Sequence, residues 1–438
     1  MTSLSNHGGR DINRDKTQFG NPPTKFNLPS LWHSVRVLHF QRTVNTPNNT
    51  GFLWDFSPSN NYWIGRAAGQ APLVSQSINS EASVGLVVAE KKIRTVLIGI
   101  GNSASALIQG LSFYGEDDTR PGLWHKRVGD FGVSNIELVG AYDIASRKIG
   151  KDVAEAIFLD PNSVRRYTDI KPTSIEVEAG IPESRMNPSL EKLIKPIKTG
   201  GAGFNDSLAA KSPDLVVNLI SSGMDNSSRQ YAEAALRAGS SFVNATPTSI
   251  ATDTDFQRRF AGSKAVIAGD DLMSQFGGTA FHKGILNFIL NRGISVKKSY
   301  QLDVGGGAET LNTLDEDLRA IKRRIKTDSI SAELPYPFDT AAGTTDYVDF
   351  LGNSRTGYFW IEGEGFLGSP VRFDIFLKTN DGPNAGGILI DLIRAVQTAR
   401  DRENYGIAEE ICAYGFKKTT SPRKLWESYE AFRDKFLI

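Results

Sequence analysis

At Thr95-Val-Leu-Ile-Gly-Ile-Gly-Asn-Ser-Ala-Ser105 an apolar run passes directly into a glycine turn, and Ala106-Leu-Ile-Gln-Gly-Leu111 continues it as the apolar face of a helix. A strand, a tight turn and a helix in that order restrict the chain to few architectures, chief among them the parallel βαβ unit. Gly99, Gly101 and Ala104 reproduce the spacing G-x-G-x-x-A. In such a turn the first glycine permits the bend and the second lets backbone approach a pyrophosphate. The small third residue lets helix pack on strand. The first helical amides, at Asn102 and Ser103, then face the phosphates, where the helix dipole favours negative charge. The pattern predicts a dinucleotide-binding turn.

Ile136-Glu-Leu-Val-Gly-Ala-Tyr-Asp143 reads as the second strand, ending in an aspartate able to hydrogen-bond an adenosine ribose 2′-hydroxyl. The interval exceeds the usual separation of about 20 residues. The polar segment Gly115–Asp130 accounts for the excess as a loop insertion. With no arginine directly after Asp143, NAD is favoured over NADP, although Arg147, four residues on, leaves that choice open. The competing reading of Asp143 is a helix N-cap.

A chain of 438 residues suits two domains with real cores, or one domain with an insertion. Fifty Lys and Arg against 49 Asp and Glu leave a net charge of +1, so no global footprint for nucleic acid or a membrane surface is expected. Cys412 is the single cysteine, which excludes an intrachain disulfide framework and a multi-thiolate metal site. The start lacks the apolar core of a signal peptide and no run approaches 18 apolar residues. A soluble cytoplasmic protein is the expectation.

Residues 1–90 read as an extension, polar and mobile over Met1–Pro29, strand-like at Leu31–Phe40 and irregular from Asn45 to Tyr62. Its aromatics, Trp32, Phe52, Trp54, Phe56, Tyr62 and Trp63, are expected to pack on the main body or on another subunit. From Lys91 strands alternate with helices, the mark of a doubly wound parallel sheet. Strands are expected at Thr95–Ile100, Ile136–Tyr142, Leu215–Ile220, Ser241–Ala245 and Ala265–Ala268, with a helix over Ser227–Gly239. Thr168–Asn205 reads as loops around a short helix. After Asp271, Ser299–Val304, Tyr358–Glu364 and Val371–Lys378 alternate apolar and polar residues, which predicts a mixed or antiparallel sheet with one buried face. Leu311–Ile325 reads as one charged amphipathic helix and Ala385–Arg402 as a strongly apolar one. The expected division is a Rossmann-type domain formed by 91–272 with 380–438, and an α+β sheet domain over 273–379.

Ligands in open α/β sheets gather beyond the carboxyl ends of the strands. Gly269-Asp-Asp-Leu-Met-Ser-Gln-Phe-Gly-Gly-Thr279 follows one such strand and opens a helix. Ser274, Gln275, Gly278 and Thr279 there can offer hydroxyl, amide and backbone donors to a phosphate; the competing reading is a capped helix start. Lys322 and Lys326 stand one helical turn apart, so both amines can reach one spot. A solvated helix face is the ordinary explanation of such a pair. Beside a phosphosugar, the same amines can move protons and balance oxyanions.

These segments, in this order, resemble the myo-inositol-phosphate synthase family over roughly Lys91 to Pro422. The anchors are Gly99-Ile-Gly-Asn-Ser-Ala-Ser105, Tyr231-Ala-Glu-Ala-Ala235, Gly269-Asp-Asp271 with Ser274-Gln275, and Tyr300-Gln-Leu302 with Gly305-Gly306. Lys322-x-x-x-Lys-Thr327, Asp346-Tyr-Val348, Asp381-Gly-Pro-Asn-Ala385 and Ala413-Tyr414 with Lys417 continue the set. The resemblance implies a Rossmann-type fold with a sheet domain that builds homotetramers, and a catalytic rather than consumed NAD. It implies oxidation of glucose 6-phosphate at C5, enolisation at C6, closure onto the C1 aldehyde and reduction of the ketone. By that resemblance Lys322, Lys326, Lys417 and Arg355 form the catalytic set, with Lys417 near the substrate carbonyl end. Gly99, Gly101, Asn102, Ser103, Ala104, Asp143, Ser221, Asp271 and Asp381 contact the cofactor, the last two also being candidates to support a cation. Ser274, Gln275, Gly278 and Thr279 hold phosphate.

The departures bear on the substrate. Met273 stands where the family carries lysine, and Asn353-Ser-Arg355 replaces an Asp-x-Lys. Arginine stays protonated and serves phosphate rather than proton transfer. Gly307 replaces an asparagine and Glu309 an aspartate. The lead expectation is inositol-phosphate synthesis from glucose 6-phosphate. The alternative is a carbocyclase forming a five-membered ring from another phosphosugar, such as fructose 6-phosphate, in secondary metabolism. A dehydrogenase with net NADH release and a non-catalytic NAD-binding protein are the other classes considered. A cation, monovalent or divalent, is left open, since the histidines His7, His33, His39, His125 and His282 are scattered. His282 alone falls near the phosphate segment, where it could support a ligand-contacting residue.

Overall fold

A computed structural model describes residues 90–437. The expectations for the extension, including the strand at Leu31–Phe40, its aromatics and His7, His33 and His39, lie outside the described residues.

The described chain opens with β1 (Ile93–Ile98), α1 (Asn102–Glu116) and β2 (Ile136–Asp143). The short elements α2 (Val153–Ala156), β3 (Val177–Ala179), α3 (Pro188–Ile194) and α4 (Phe204–Lys211) follow. Then come β4 (Leu215–Asn218), α5 (Asp225–Arg237), β5 (Ser241–Asn244), α6 (Thr254–Gly262) and β6 (Val266–Ala268). The next part holds α7 (Gly278–Asn291), β7 (Ser295–Gly305), α8 (Ala308–Asn312), α9 (Glu316–Ser331), β8 (Asp339–Tyr347), β9 (Ser354–Glu364) and β10 (Pro370–Asn380). Last are α10 (Asp381–Asp401), β11 (Gly406–Ile407), α11 (Glu409–Gly415) and α12 (Leu425–Phe436).

Seven strands form one parallel sheet in the order β11-β6-β5-β4-β1-β2-β3. The order reverses where β1 lies between β2 and β4, and that switch point opens a crevice at the strands' carboxyl ends. Both faces are covered, so the strands are apolar at consecutive positions. Ile93 and Leu97 pack into one layer with α1, α10 and α12, while Val96 and Ile98 pack into the other with α4, α5 and α6. Helix α10 runs close against α1 because Gly386 has no side chain: a Cβ there would come within 2.9 Å of the Leu107 backbone nitrogen.

The second sheet has the order β10-β9-β7-β8, with β7 and β8 parallel and the other pairs antiparallel. One face packs under α7 and α9 through Leu286, Ile289, Val296, Ile330 and Ile361. The fold is thus α/β, a Rossmann-type doubly wound sheet joined to a mixed sheet.

Three expectations need correction. The single helix read over Leu311–Ile325 is two, because Asp315 accepts a hydrogen bond from the Leu318 amide and caps α9 afresh. Strand β8 was not anticipated, and β3 lies in the segment read as loops around a short helix. The largest difference is the phase of β7. Its buried positions include Ser299, Gln301 and Asp303, whereas Tyr300, Leu302 and Val304 are only half-buried. The polar side chains turn inward because α7 and α9 bring polar partners to them.

Candidate active site

At the β1–α1 turn Gly99 adopts φ +88°, and a Cβ there would lie 2.9 Å from the backbone of Leu219 and Ile220. The turn therefore requires glycine where it passes close against the backbone that follows β4. Gly101 differs: a Cβ would meet nothing within 4 Å, so its bare backbone faces open space at the start of α1. No side chain caps that helix, which leaves its first amides available to an anion. Asp143 caps no helix. Its Oδ2 accepts from the Ile100 amide and its Oδ1 from the Ala145 amide, each at 2.7 Å, which fixes the carboxylate at the crevice wall. Buried Lys148, which the sequence reading passed over, donates to the Ile100 carbonyl at 2.6 Å and to Asn162 at 3.0 Å. Burial pulls its ammonium below the ordinary lysine range despite the nearby Asp143. Arg147 turns away to Asp160 at 3.4 Å.

Three amines converge in the same cavity. Asp271 Oδ1 pairs with Lys322 Nζ at 3.0 Å and with Lys417 Nζ at 2.9 Å. Lys322 also reaches Glu309 at 3.5 Å. Lys326, one helical turn further along α9, pairs with Asp303 at 2.6 Å. Burial pushes the Asp271 carboxyl up, but the two lysines outweigh it and hold the group at about 2. For Lys417, burial with the nearby charges of Lys322 and Lys326 outweighs Asp271 and lowers the amine to about 8. For Lys322 the balance is reversed: burial is overcome by Asp271 and Glu309, and its pKa rises. One lysine is thus poised to lose its proton near neutral pH while its neighbour keeps its own.

Arg355 lines the same cavity. Its Nε donates to both Asp381 oxygens at 2.8 and 2.7 Å, and Nη1 lies 3.7 Å from Asp303. Burial works against its charge, yet Asp381 and Asp303 raise its pKa above the ordinary value. Asp303 was not singled out from sequence, because its alternation in β7 suggested a solvent-facing side chain. Gly357 lies directly opposite it on β9, and a Cβ there would come within 3.4 Å of the Asp303 carboxylate.

Helix α7 begins at Gly278 with no side-chain cap. Ser274, Gly278 and Thr279 line the cavity there, as do Met273 and Ser221. Gln275 does not: its Nε2 reaches the Gly122 carbonyl at 3.5 Å, and its side chain lies over Gly387. Ala104 is fully buried behind the turn. Every other residue singled out for the site lines this one cavity. Asn353 lines it too, with Oδ1 accepting from the Gly382 amide at 2.8 Å at the start of α10.

The residues present fit a dinucleotide. The Gly101 opening and the uncapped α1 suit a pyrophosphate, and Asp143 retains lone pairs for a ribose hydroxyl. Buried Asp271 Oδ2 has no hydrogen-bond partner, so the lysine cluster keeps one unused acceptor. Among the described residues no group of three or more His, Cys, Asp or Glu side chains is arranged to hold a metal ion.

A doubly wound sheet with a glycine turn, joined to a mixed sheet over one lysine-lined cavity, defines a Rossmann-type α/β protein of the two-sheet kind. Residues 277–382 match the family model for myo-inositol-1-phosphate synthase. An inositol-3-phosphate synthase of Mycobacterium tuberculosis (strain ATCC 25618 / H37Rv) is 31% identical over 335 residues, covering 75% of this chain and 91% of that one. The crystal structure of Ari2 superimposes with a TM-score of 0.65 at 27% identity, over 78% of this chain and 98% of that one. A myo-inositol-1-phosphate synthase-related protein from Thermotoga maritima gives a TM-score of 0.66 at 23% identity, with the same coverage of 78% and 98%. The chain belongs to the inositol-3-phosphate synthase family.

Proposed function

We propose that this protein is an NAD-dependent cyclase that converts glucose 6-phosphate to myo-inositol phosphate. The observation that carries the reading is the convergence of Lys322, Lys326 and Lys417 in the same cavity that Gly99 and Gly101 of the glycine turn line. When bound, NAD supplies reversible oxidation at the sugar C5, which acidifies the C6 hydrogens. Lys417 Nζ, the amine lowered to about 8, accepts a C6 proton. The Lys322 and Lys326 ammonium groups balance the oxyanions that develop during enolisation and ring closure. The uncapped start of α7, with Ser274, Gly278 and Thr279, holds the phosphate. Asp271 orients both Lys322 and Lys417, so the base and its neighbouring cation keep a fixed separation.

A second reading, a five-membered carbocycle made from another phosphosugar such as fructose 6-phosphate, is favoured by the cavity positions of Met273, Asn353 and Arg355. The pure protein incubated with NAD and each hexose phosphate, with products identified by NMR, separates the two. Inositol phosphate from glucose 6-phosphate supports the first. An unchanged glucose 6-phosphate sample with a cyclised ketose product supports the second.

The resemblance to homotetramers is supported by the open side of the mixed sheet, where Phe376 is 73% exposed and Phe350 is 86% exposed at an adjoining turn. A light-scattering mass of four chains is the expected outcome, and a monomer mass rejects it. No helix among the described residues is long and apolar enough to cross a membrane.

A further inference from the structure

A run of buried polar side chains leads away from the cavity beneath α7. The His282 Nδ1 lies 3.2 Å from Gln301 Oε1, and Nε2 lies 2.9 Å from Ser299 Oγ, itself 3.0 Å from Thr340 Oγ1. Gln301 Nε2 donates to both oxygens of Asp303 at 3.0 Å, and Asp303 receives Lys326 at 2.6 Å. His282, Gln301 and Asp303 are each no more than 1% exposed.

We propose that His282 is a positioning residue that, through Gln301, fixes the Asp303 carboxylate and hence the Lys326 ammonium in the cavity. The inference rests on the reading of Lys326 as part of the active site.

The direction of every bond follows from one charge. An ionised Asp303 only accepts, so the amide nitrogen of Gln301 must face it and the amide oxygen must face His282. His282 therefore carries its proton on Nδ1, and its bare Nε2 accepts from the Ser299 hydroxyl, which accepts in turn from Thr340. Burial keeps the ring neutral by lowering it to about 4, with Asp303 the charged group that faces it beyond Gln301. Phe359 packs edge-on against the same ring, 5.4 Å between centroids. A carboxamide does not conduct protons as an imidazole does, so this run holds Asp303 rather than feeding it protons. Gly278 is part of the clamp, since a Cβ there would overlap the Gln301 amide nitrogen. The first residue of α7 thus needs glycine for Gln301 as well as for any phosphate.

His282→Phe keeps the ring and removes both nitrogens, leaving Gln301 Oε1 without a donor. His282→Asn retains one N–H where Nδ1 stood. The expected result is a kcat for His282→Phe lowered roughly tenfold or more, with KM and NAD affinity within about twofold, and recovery to within about threefold in His282→Asn. Unchanged kcat in His282→Phe, or equal losses in the two variants, overturns the proposal. Should His282→Phe not fold, Gln301→Met removes the same contact and is expected to lower kcat likewise, whereas wild-type kcat in it overturns the proposal. Crystal structures of the variants provide an arm independent of turnover. Lys326 displaced from Asp303 in His282→Phe but not in His282→Asn supports the inference, and Lys326 still within ion-pair distance in both refutes it. If the wild type turns over no hexose phosphate, the functional reading fails and the crystallographic arm alone decides the positioning role.

Discussion

Lys417 Nζ lies 2.9 Å from Oδ1 of Asp271, and the same oxygen takes Lys322 Nζ at 3.0 Å. One carboxylate oxygen shared by two buried ammonium groups leaves the pair short of negative charge. The deficit falls on Lys417, whose amine lies at about 8, while Lys322 gains Glu309 and stays charged. A lowered amine and a charged one thus stand side by side on one anchor.

That arrangement sets a pH profile. With Lys417 lowered to about 8, the neutral amine is the minor form below that pH and the major form above it. kcat is expected to rise as pH increases through about 8 and then level. Lys417→Met is expected to lower kcat by roughly 10²–10⁴-fold and to remove the limb. A stopped pH series on both proteins checks this; an unchanged limb in the variant assigns it elsewhere.

Asp271 links the same site to stability. Its folded value of about 2 is below the ordinary 3.8, so its stabilisation is complete above pH 4 and is lost as pH falls from about 4 to about 2. The size is about 2 kcal/mol, from 1.36 kcal/mol per unit. Asp271→Asn is expected to lose at least that much at pH 7, because two buried ammonium groups are left without their anion. Urea denaturation at several pH values measures both quantities.

His282 acts in the adjoining, less acidic window. Its imidazole is lowered from 6.5 to about 4, so the unfolded chain binds the extra proton between those values. Stability is then expected to fall as pH drops from about 6.5 to about 4, by about 3 kcal/mol. His282→Asn is expected to lack that acid loss, and thermal melts across the window test it.

The two turn glycines are expected to part company. Gly99→Ala meets both a positive φ and the backbone of Leu219 and Ile220, and is expected to cost about 2 kcal/mol or more. Gly101→Ala points into open space, so the melting temperature should hold while NAD affinity falls. Melting curves paired with calorimetric NAD titration distinguish them.

Legibility in the sequence followed the range of the interactions involved. Val96, Leu97 and Ile98 feed directly into Gly99, so the turn and its parallel sheet depend on neighbours in sequence and could be read from them. The break at Asp315 depends on a single capping contact within an otherwise helical run. Asp303, Gln301 and Ser299 point inward only because His282 of α7 and Lys326 of α9 meet them from 17 or more residues away. Alternation along β7 gives the period but not which face is covered. Lys148 escaped notice for a similar reason, since its partners Ile100 and Asn162 come from separate loops. Met273, Asn353 and Arg355 are visible as departures, and their common placement in one cavity needs the fold.

The central proposal, a redox step that begins and ends within one turnover on a phosphosugar, is tested most directly with glucose 6-phosphate deuterated at C5 and NAD far below the sugar concentration. The expected outcome is an inositol phosphate that keeps the deuterium on the corresponding ring carbon, formed over many turnovers with no growth of NADH absorbance. Deuterium accumulating in reduced cofactor, with one NADH released per sugar consumed, would instead make the protein an ordinary dehydrogenase.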